Sequence, residues 1–515
     1  MARSAVVAIP LVLIPALGAV QGGFEPDTWV WSGALAAWAA AVGLVVSGSG
    51  RLRSDFWWIV VAAALFLWTL ASALWSTEPS QSLLEARRML VYCAVVLAVV
   101  VLARRGASRA LLAATQVGVT AIVLYALARY LVGTRTTSEF EGHLLSEPLG
   151  YANAVGILAA MGVVLAVGRA ANGGSSWTRT ASAATVPLLA LALYLSGSNA
   201  SWLALGIGLA AMAALHRDRA ALTRAVAAVA PATAVAVWVG HYSRLTSEPS
   251  PRLSGPLVAV IAAACGIGAA ATLALLSSPR TTSSPSSESD GRRRQRVAVA
   301  AAFGVVALGG LAVALGGATE PRASYYHVAW HEYVSHPLLG SGAGTFGRFW
   351  LESGRVARWG GALDAHSLYL ETLAELGPIG LGLVAAFLLY PLGRAVERRP
   401  LPPVAPAAGA MTAFLVHAGL DWDWELPAVV VAGIACGAVV AFAEPDGEGE
   451  ELPAPPLARA AALAGALLVG AASIAGARSS TEPSAAAPKT GPSMKEAPRS
   501  GASIMERRAG TSGYL

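Results

Sequence analysis

Charge is scarce in this chain. Only 13% of its 515 residues are Asp, Glu, Lys or Arg, about half the share a soluble protein carries. A set of soluble domains is thereby excluded. Lysine is nearly missing, with Lys489 and Lys495 alone, so arginine supplies the positive charge. Cysteine is limited to Cys93, Cys265 and Cys436, each inside a different apolar run. With no CxxC or Cys/His spacing, the sequence predicts neither a disulfide nor a zinc site, and the three thiols read as small buried hydrophobes. The net charge of +6 is not a nucleic-acid signature, because the arginines stand in short clusters between apolar runs, where membrane topology places them.

What is abundant is apolar surface: 55% of residues are hydrophobic and the mean hydropathy is +0.58. A membrane crossing takes about 20 apolar residues. Candidate spans fall at 5–20, 28–47, 56–75, 89–103, 110–132, 149–168, 182–197, 200–215, 223–240, 256–276, 297–316, 378–393, 404–420, 426–443 and 457–475. The first could serve as a signal peptide cleaved near Ala16, Leu17 and Gly18, but Arg3 alone makes a thin basic region, and it reads as a retained helix. The expected fold is all-α, a polytopic transmembrane helical bundle of about 13–15 spans with one large extracytoplasmic loop.

Orientation follows from arginine. With the N-terminus in the cytoplasm and alternating spans, twenty arginines fall in inside loops and nine in outside loops, the C-terminal tail left aside. Four of those nine lie in one long loop, where the positive-inside rule weakens. The chain thus reads as a multi-pass protein of the cytoplasmic (inner) membrane. Residues 1–276 form the first set of helices. The Ser/Pro-rich basic stretch 277–296 reads as a disordered cytoplasmic linker. Residues 297–475 hold the outer loop, 317–377, and the last helices, and 476–515 form an Ala/Pro/Ser-rich tail with no expected fold.

Polar chemistry concentrates in that loop, which carries four of the eight histidines. Long loops in compact proteins are uncommon unless they have a function. Gly340, Gly342 and Gly344 read as a tight turn with positive φ, since no P-loop lysine or hydroxyl follows. His327, His331 and His336 read as structural, and Trp350, Trp359, Trp422 and Trp424 as interfacial aromatics.

Three stretches carry a pattern: RASYYHVAW (322–330) with HPLLGSGAGTF (336–346), then DAHSLYLE (364–371) with ELGPIG (375–380), and finally HAGLDWDWELP (417–427). Together they resemble the O-antigen ligase and polymerase family in its Wzy-type C-terminal region. ALWSTEP (73–79), SLLEARR (82–88) and LGYANA (149–154) agree with it. The resemblance spans about residues 70–440. One position departs: where the family often has an arginine in a Ser-Arg-Gly-Ala turn, this chain has Asn199.

The resemblance implies a metal-independent membrane glycosyltransferase that moves glycan from a polyprenyl-pyrophosphate donor onto an acceptor hydroxyl, with no cofactor. The implied partners are that donor, a glycan or lipid acceptor and membrane lipids. Such a transfer needs cations on the pyrophosphate, which guanidinium forks bind bidentately, and a base near the hydroxyl, for which histidine is suited. By motif position Arg322 is the phosphate clamp and His366 the general base. Arg348 or Arg355 is a second clamp, and Asp364 and Glu371 would orient the histidine. Arg87, Arg88, Arg129 or Arg244 could supply the cation missing at Asn199. Two other readings stay open: a flippase for lipid-linked glycan, against which stands the lack of midplane charges and inverted repeats, and an inactive scaffold of a glycan assembly complex.

Overall fold

The computed structural model describes residues 2–46, 55–104, 106–133, 141–247, 251–277, 320–356, 361–444 and 455–481. Among them there is no strand; the chain is built of helices and their connections. Residues 278–296 of the expected linker, the expected span 297–316 and the tail beyond 481 lie outside the described residues. The chain divides into a large unit, Met1–Ile474, and a short one, Ala475–Leu515, and the features below belong to the large unit.

Ten helices come first: α1 (Ala8–Gly18), α2 (Pro26–Val46), α3 (Phe56–Ser72), α4 (Pro79–Leu102), α5 (Ser108–Val132), α6 (Ala152–Asn172), α7 (Ser176–Leu195), α8 (Asn199–Leu215), α9 (Arg219–Ser243) and α10 (Gly255–Ser277). After the undescribed segment come α11 (Glu320–Ser335), α12 (Phe346–Glu352), α13 (Leu368–Gly393), α14 (Ala395–Arg398), α15 (Val404–Ala418), α16 (Pro427–Phe442) and α17 (Pro456–Thr481). Seven of them, α2, α5, α6, α7, α9, α10 and α13, are long and apolar enough to cross a membrane. The shorter apolar helices include α1, α3, α8, α15 and α16. Every expected span except 297–316 falls on a helix, and the molecule is a multi-pass membrane protein.

Two helices differ instructively from their apolar runs. The run of α4 begins at Met89, yet the helix starts ten residues earlier, with Pro79 at its first turn, where a missing N–H costs nothing. Glu85, Arg87 and Arg88 are therefore helical, and Arg88 is buried. In α13, Gly377 takes φ +67° and breaks the helix before Pro378. A Cβ on Gly377 would lie 2.5 Å from the Leu338 carbonyl oxygen, so only glycine fits. The apolar run starts just after this break, which is why the sequence placed the span at 378–393.

At the centre stands α6, buried along nearly its whole length and packed on α7, α8 and α15. In a membrane, helices associate through close van der Waals packing of small residues. The crossing of α8 and α15 is an instance: Gly208 and Gly409 face each other, and a Cβ on either would come within 2.7 or 2.6 Å of the other's carbonyl oxygen.

The expected loop is a folded cap. α11, α12 and the first turns of α13 enclose a small core of Val328, Ala329, Phe346, Trp350, Ala362, Ala365 and Ala374, separate from the core of the bundle. This corrects the reading of Trp350 as interfacial, because it is fully buried in the cap. Trp424 is likewise buried, edge-on to Tyr92 and Phe387, and Trp422 packs on Tyr151. Trp359 lies outside the described residues.

Candidate active site

The site forms where the cap meets the ends of α4, α6, α8 and α15. Its anchor is Asp421, in the turn after α15 and fully buried. One carboxylate oxygen, Oδ1, accepts the Tyr151 hydroxyl at 2.5 Å and the Trp422 backbone N–H at 2.9 Å. The other, Oδ2, accepts Asn153 Nδ2 at 2.5 Å and Arg322 Nη2 at 3.0 Å. Tyr151 and Asn153 flank the start of α6, and Arg322 stands in the first turn of α11. One carboxylate thus ties the central helix to the cap, and it fixes one edge of a guanidinium that keeps 31% of its side chain exposed.

Tyr325 follows Arg322 by three residues, so the two share a helix face. Its ring stacks on His366, with centroids 4.6 Å apart and planes at 22°, and its other neighbour is Trp350 at 4.8 Å. Arg322 and His366 are thereby brought into one site, as the motif positions imply. His366 itself has φ +53°, an uncommon conformation outside glycine. Asp364 holds it: Oδ1 accepts the His366 backbone N–H at 3.0 Å and lies 2.7 Å from imidazole Nδ1. Glu371 completes the turn by accepting the Ala365 N–H at 2.7 Å. Among the described residues Nε2 has no protein partner. Burial disfavours the charged imidazole, but the contact and charge of Asp364, helped by Asp421, outweigh it and raise the pKa above the ordinary histidine value.

The glycine turn lies beneath. Gly340, Gly342 and Gly344 all have positive φ, the last two at +110° and +73°. The Glu375 carboxylate accepts the backbone N–H of Gly344 at 2.7 Å and of Phe346 at 2.9 Å. A Cβ at Gly342 would meet Ser76 Oγ at 2.2 Å. Ser82 donates to the Ala343 carbonyl at 2.7 Å and Ser72 Oγ accepts the Ala343 N–H at 3.1 Å, which fastens the cap to α3 and α4. Glu332 is buried inside the cap: Oε1 accepts Ser341 Oγ at 2.6 Å and Thr345 Oγ1 at 3.0 Å, while Oε2 has no partner. Burial pushes its pKa up to about 7.

The remaining expected arginines go elsewhere. Arg348 is exposed, bonding Glu352 of its own helix at 2.8 Å and the Thr77 carbonyl at 3.2 Å. Arg355 faces His327 at 3.3 Å. Neither contacts Arg322 or His366 among the described residues. Arg88 is buried between Glu85 and Glu425, the latter at 2.9 Å, and lies over the Trp29 ring. Its charge is thus already matched. Arg87, one residue earlier and turned away around the helix, is half-buried with no partner among the described residues. Asn199 is exposed at the start of α8.

Sequence reasoning named the third motif without assigning roles in it. Besides Asp421, that motif supplies His417, fully buried, with Nδ1 2.9 Å from Asp423 Oδ2 and Nε2 2.9 Å from Ser201 Oγ. Ser201 and its neighbour Ser198, whose Oγ caps α8, are also buried. The array therefore joins the start of α8 to the Asp421 turn rather than meeting a substrate. The alternation of short polar turns and apolar helices in 196–202 and 417–427 was the only signal for it. Among the described residues no three His, Cys, Asp or Glu side chains converge as metal ligands.

Fold and site together define a multi-pass membrane protein in which a helical cap holds an arginine and a histidine over the ends of the bundle. Residues 184–385 match the family model described as O-antigen ligase (Wzy_C). The match runs from α7 through the cap into α13; Asp421, Tyr151 and Asn153 lie beyond it. No curated protein matches the chain.

Proposed function

We propose that this protein is a glycosyltransferase of the O-antigen ligase/polymerase kind, taking glycan from a polyprenyl-pyrophosphate donor at the outer face of the cytoplasmic membrane. The observation that carries the reading is the pairing of an anchored, partly exposed guanidinium, Arg322, with an imidazole, His366, whose Nδ1 lies 2.7 Å from the Asp364 carboxylate and whose Nε2 has no protein partner among the described residues. The family match over residues 184–385 supports the reaction class.

In this reaction the acceptor oxygen bonds to the anomeric carbon of the donor sugar while the bond from that carbon to the pyrophosphate oxygen breaks. The bonding pair leaves with the pyrophosphate. The acceptor's proton passes to His366 Nε2, and the Asp364 carboxylate at Nδ1 stabilises the imidazolium that forms. Arg322 binds the pyrophosphate oxygens as their charge grows, with Asp421 holding the guanidinium in register. No step in this scheme calls on a metal ion. The outer-face placement rests on the arginine bias of the loops at the opposite end. The capped end is thereby the side on which a surface polysaccharide is assembled.

The test is transfer by the full-length protein in lipid nanodiscs, supplied with a polyprenyl-pyrophosphate-linked oligosaccharide and a glycan or lipid acceptor. His366→Ala and Arg322→Ala should each abolish transfer while the protein still folds. Full transfer by His366→Ala would remove the base from the scheme. No transfer by the wild type with any lipid-linked donor would favour the scaffold reading, for which the exposed Asn199 in place of an arginine is the one supporting observation.

A further inference from the structure

At the opposite end of the bundle from the cap, a cavity of about 670 Å³ opens between helix ends. Its floor includes the last turn of α6, whose first turn carries Asn153 of the site. At 1.5 Å per residue this helix is about 30 Å long, the thickness of a bilayer's hydrocarbon core. The cavity and the site thus face opposite membrane surfaces.

Six arginines line the cavity: Arg109, Arg169, Arg179, Arg217, Arg224 and Arg399. They come from α5, α6, α7, α9 and the turns before α9 and α15, so the bundle gathers charges that are dispersed over nearly 300 residues of sequence. One carboxylate lines it, Asp218, and its Oδ1 already accepts the Ala221 N–H at 2.9 Å as the cap of α9. Among the described residues the side chains of Arg217, Arg224 and Arg399 make no hydrogen bond or ion pair. Arg169 donates to Gln116 at 2.7 Å and Arg179 to Ser277 at 2.6 Å, with Arg179 Nε left unpartnered.

A second observation is independent of the arginines. His216 lines the cavity and is 97% buried, at 3% exposure. Asn172 Nδ2 can only donate, so the contact at 2.9 Å makes His216 Nε2 the acceptor. The neutral ring then carries its proton on Nδ1, which is buried and finds only the Asp218 backbone close by, without good hydrogen-bond geometry. A buried donor so poorly matched is costly. Loop arginines alone would satisfy the membrane's charge rule from any exposed position. Here they converge on a concavity beside a buried, poorly matched imidazole, and donors far outnumber acceptors.

We infer that this cavity is a binding site for a ligand carrying two linked or neighbouring phosphate groups. Guanidinium forks match phosphate oxygens, and a net excess of five positive side chains over one carboxylate suits more than a single charge. The volume lies within the range of small-molecule sites. Two sources supply such a ligand, a two-phosphate lipid headgroup in the adjoining leaflet and a soluble diphosphate. The inference does not rest on the transferase reading.

The experiment uses the full-length protein with two probes. The first is cardiolipin, measured as retained lipid by native mass spectrometry after delipidation. The second is inorganic pyrophosphate, measured by equilibrium binding of the labelled anion. The variants are Arg224→Gln, the triple Arg217→Gln/Arg224→Gln/Arg399→Gln, and Arg219→Gln, which removes the same charge one position outside the lining. Saturable binding of one probe is expected, weakened on the order of tenfold by Arg224→Gln, lost in the triple variant and kept in Arg219→Gln. Cardiolipin binding alone assigns the lipid source and pyrophosphate binding alone the soluble one. Failure of both probes to saturate, or equal affinities for Arg224→Gln and Arg219→Gln, overturns the inference. An unchanged melting temperature in the triple variant shows that it is folded.

Discussion

Replacing Asp421 by Asn keeps the shape of the anchor and removes its charge. In the wild type four donors converge on the carboxylate, from Tyr151, Trp422, Asn153 and Arg322. An amide offers one accepting oxygen and places two N–H donors against donors already there. Removing one partner of a fully buried ion pair costs about 3–5 kcal/mol. Arg322 retains 31% exposure, so water screens part of its freed charge and the expected cost falls to about 2–3 kcal/mol. Spent on misplacing the guanidinium at the transition state, this is a loss of about 30- to 150-fold in kcat/KM. The assay is initial-rate transfer in nanodiscs for Asp421→Asn, Arg322→Gln and the double variant, each checked by its melting temperature. The two losses should be strongly non-additive, with a coupling above about 1 kcal/mol. Additive effects, or an Asp421→Asn enzyme within threefold of wild type, would show that Asp421 does not act through Arg322.

In the proposed scheme His366 is neutral when it takes a proton, and its pKa is raised, so transfer should rise with pH through a midpoint above the ordinary histidine value; Asp364→Asn removes the supporting charge and should move that midpoint down, read from the pH profile of kcat/KM. Burial pushes Glu332 up to about 7 in the folded cap from an ordinary value of 4.5, so the folded state holds the extra proton and the cap loses stability as pH rises from about 4.5 to 7. The melting temperature should fall over that window, and Glu332→Gln should flatten the dependence. Gly342→Ala forces a Cβ to 2.2 Å from Ser76 Oγ at a φ of +110° and should destabilise the protein by about 2–4 kcal/mol, seen as a lower unfolding midpoint. Glu375→Gln leaves one of two turn N–H groups without its acceptor and should cost about 1–2 kcal/mol by the same measurement.

Much of the bundle was legible in the sequence because a membrane helix announces itself by its own apolar run, without reference to neighbours. The run cannot mark where a helix starts when its first turns are polar. This is why α4 begins at Pro79 rather than Met89, and why Arg88 lies between Glu85 and Glu425 instead of waiting for a phosphate. Arg322 and His366 could be picked out because each stands in a motif of its own. Their partner Asp421 could not, since it is about 100 residues from Arg322 and only the tertiary fold makes it the hub. Trp350 and Trp424 were read from composition as interfacial. A folded cap and a tight end to the bundle supply apolar surroundings that a single sequence does not display. The convergence of six arginines in one cavity is likewise a property of packing, since in sequence they are ordinary loop charges.

The junction of cap and bundle has a consequence for how the molecule melts. The cap's apolar core is its own, and what fastens it to α3 and α4 is a clasp of serine hydroxyls and turn amides around Ala343. Such bonds are worth about 1 kcal/mol each against water, far less than dissolving either core. Cap and bundle therefore have separate apolar cores, joined by one continuous segment, α13, with Gly377 as its joint. Local opening should start at the clasp, well below the free energy of global unfolding. The Ala343 amide, bonded to Ser72 across the clasp, should thus exchange before those of α6 or of the α11 face under Trp350. On that hierarchy the cap can part from the bundle at the clasp while both cores stay intact.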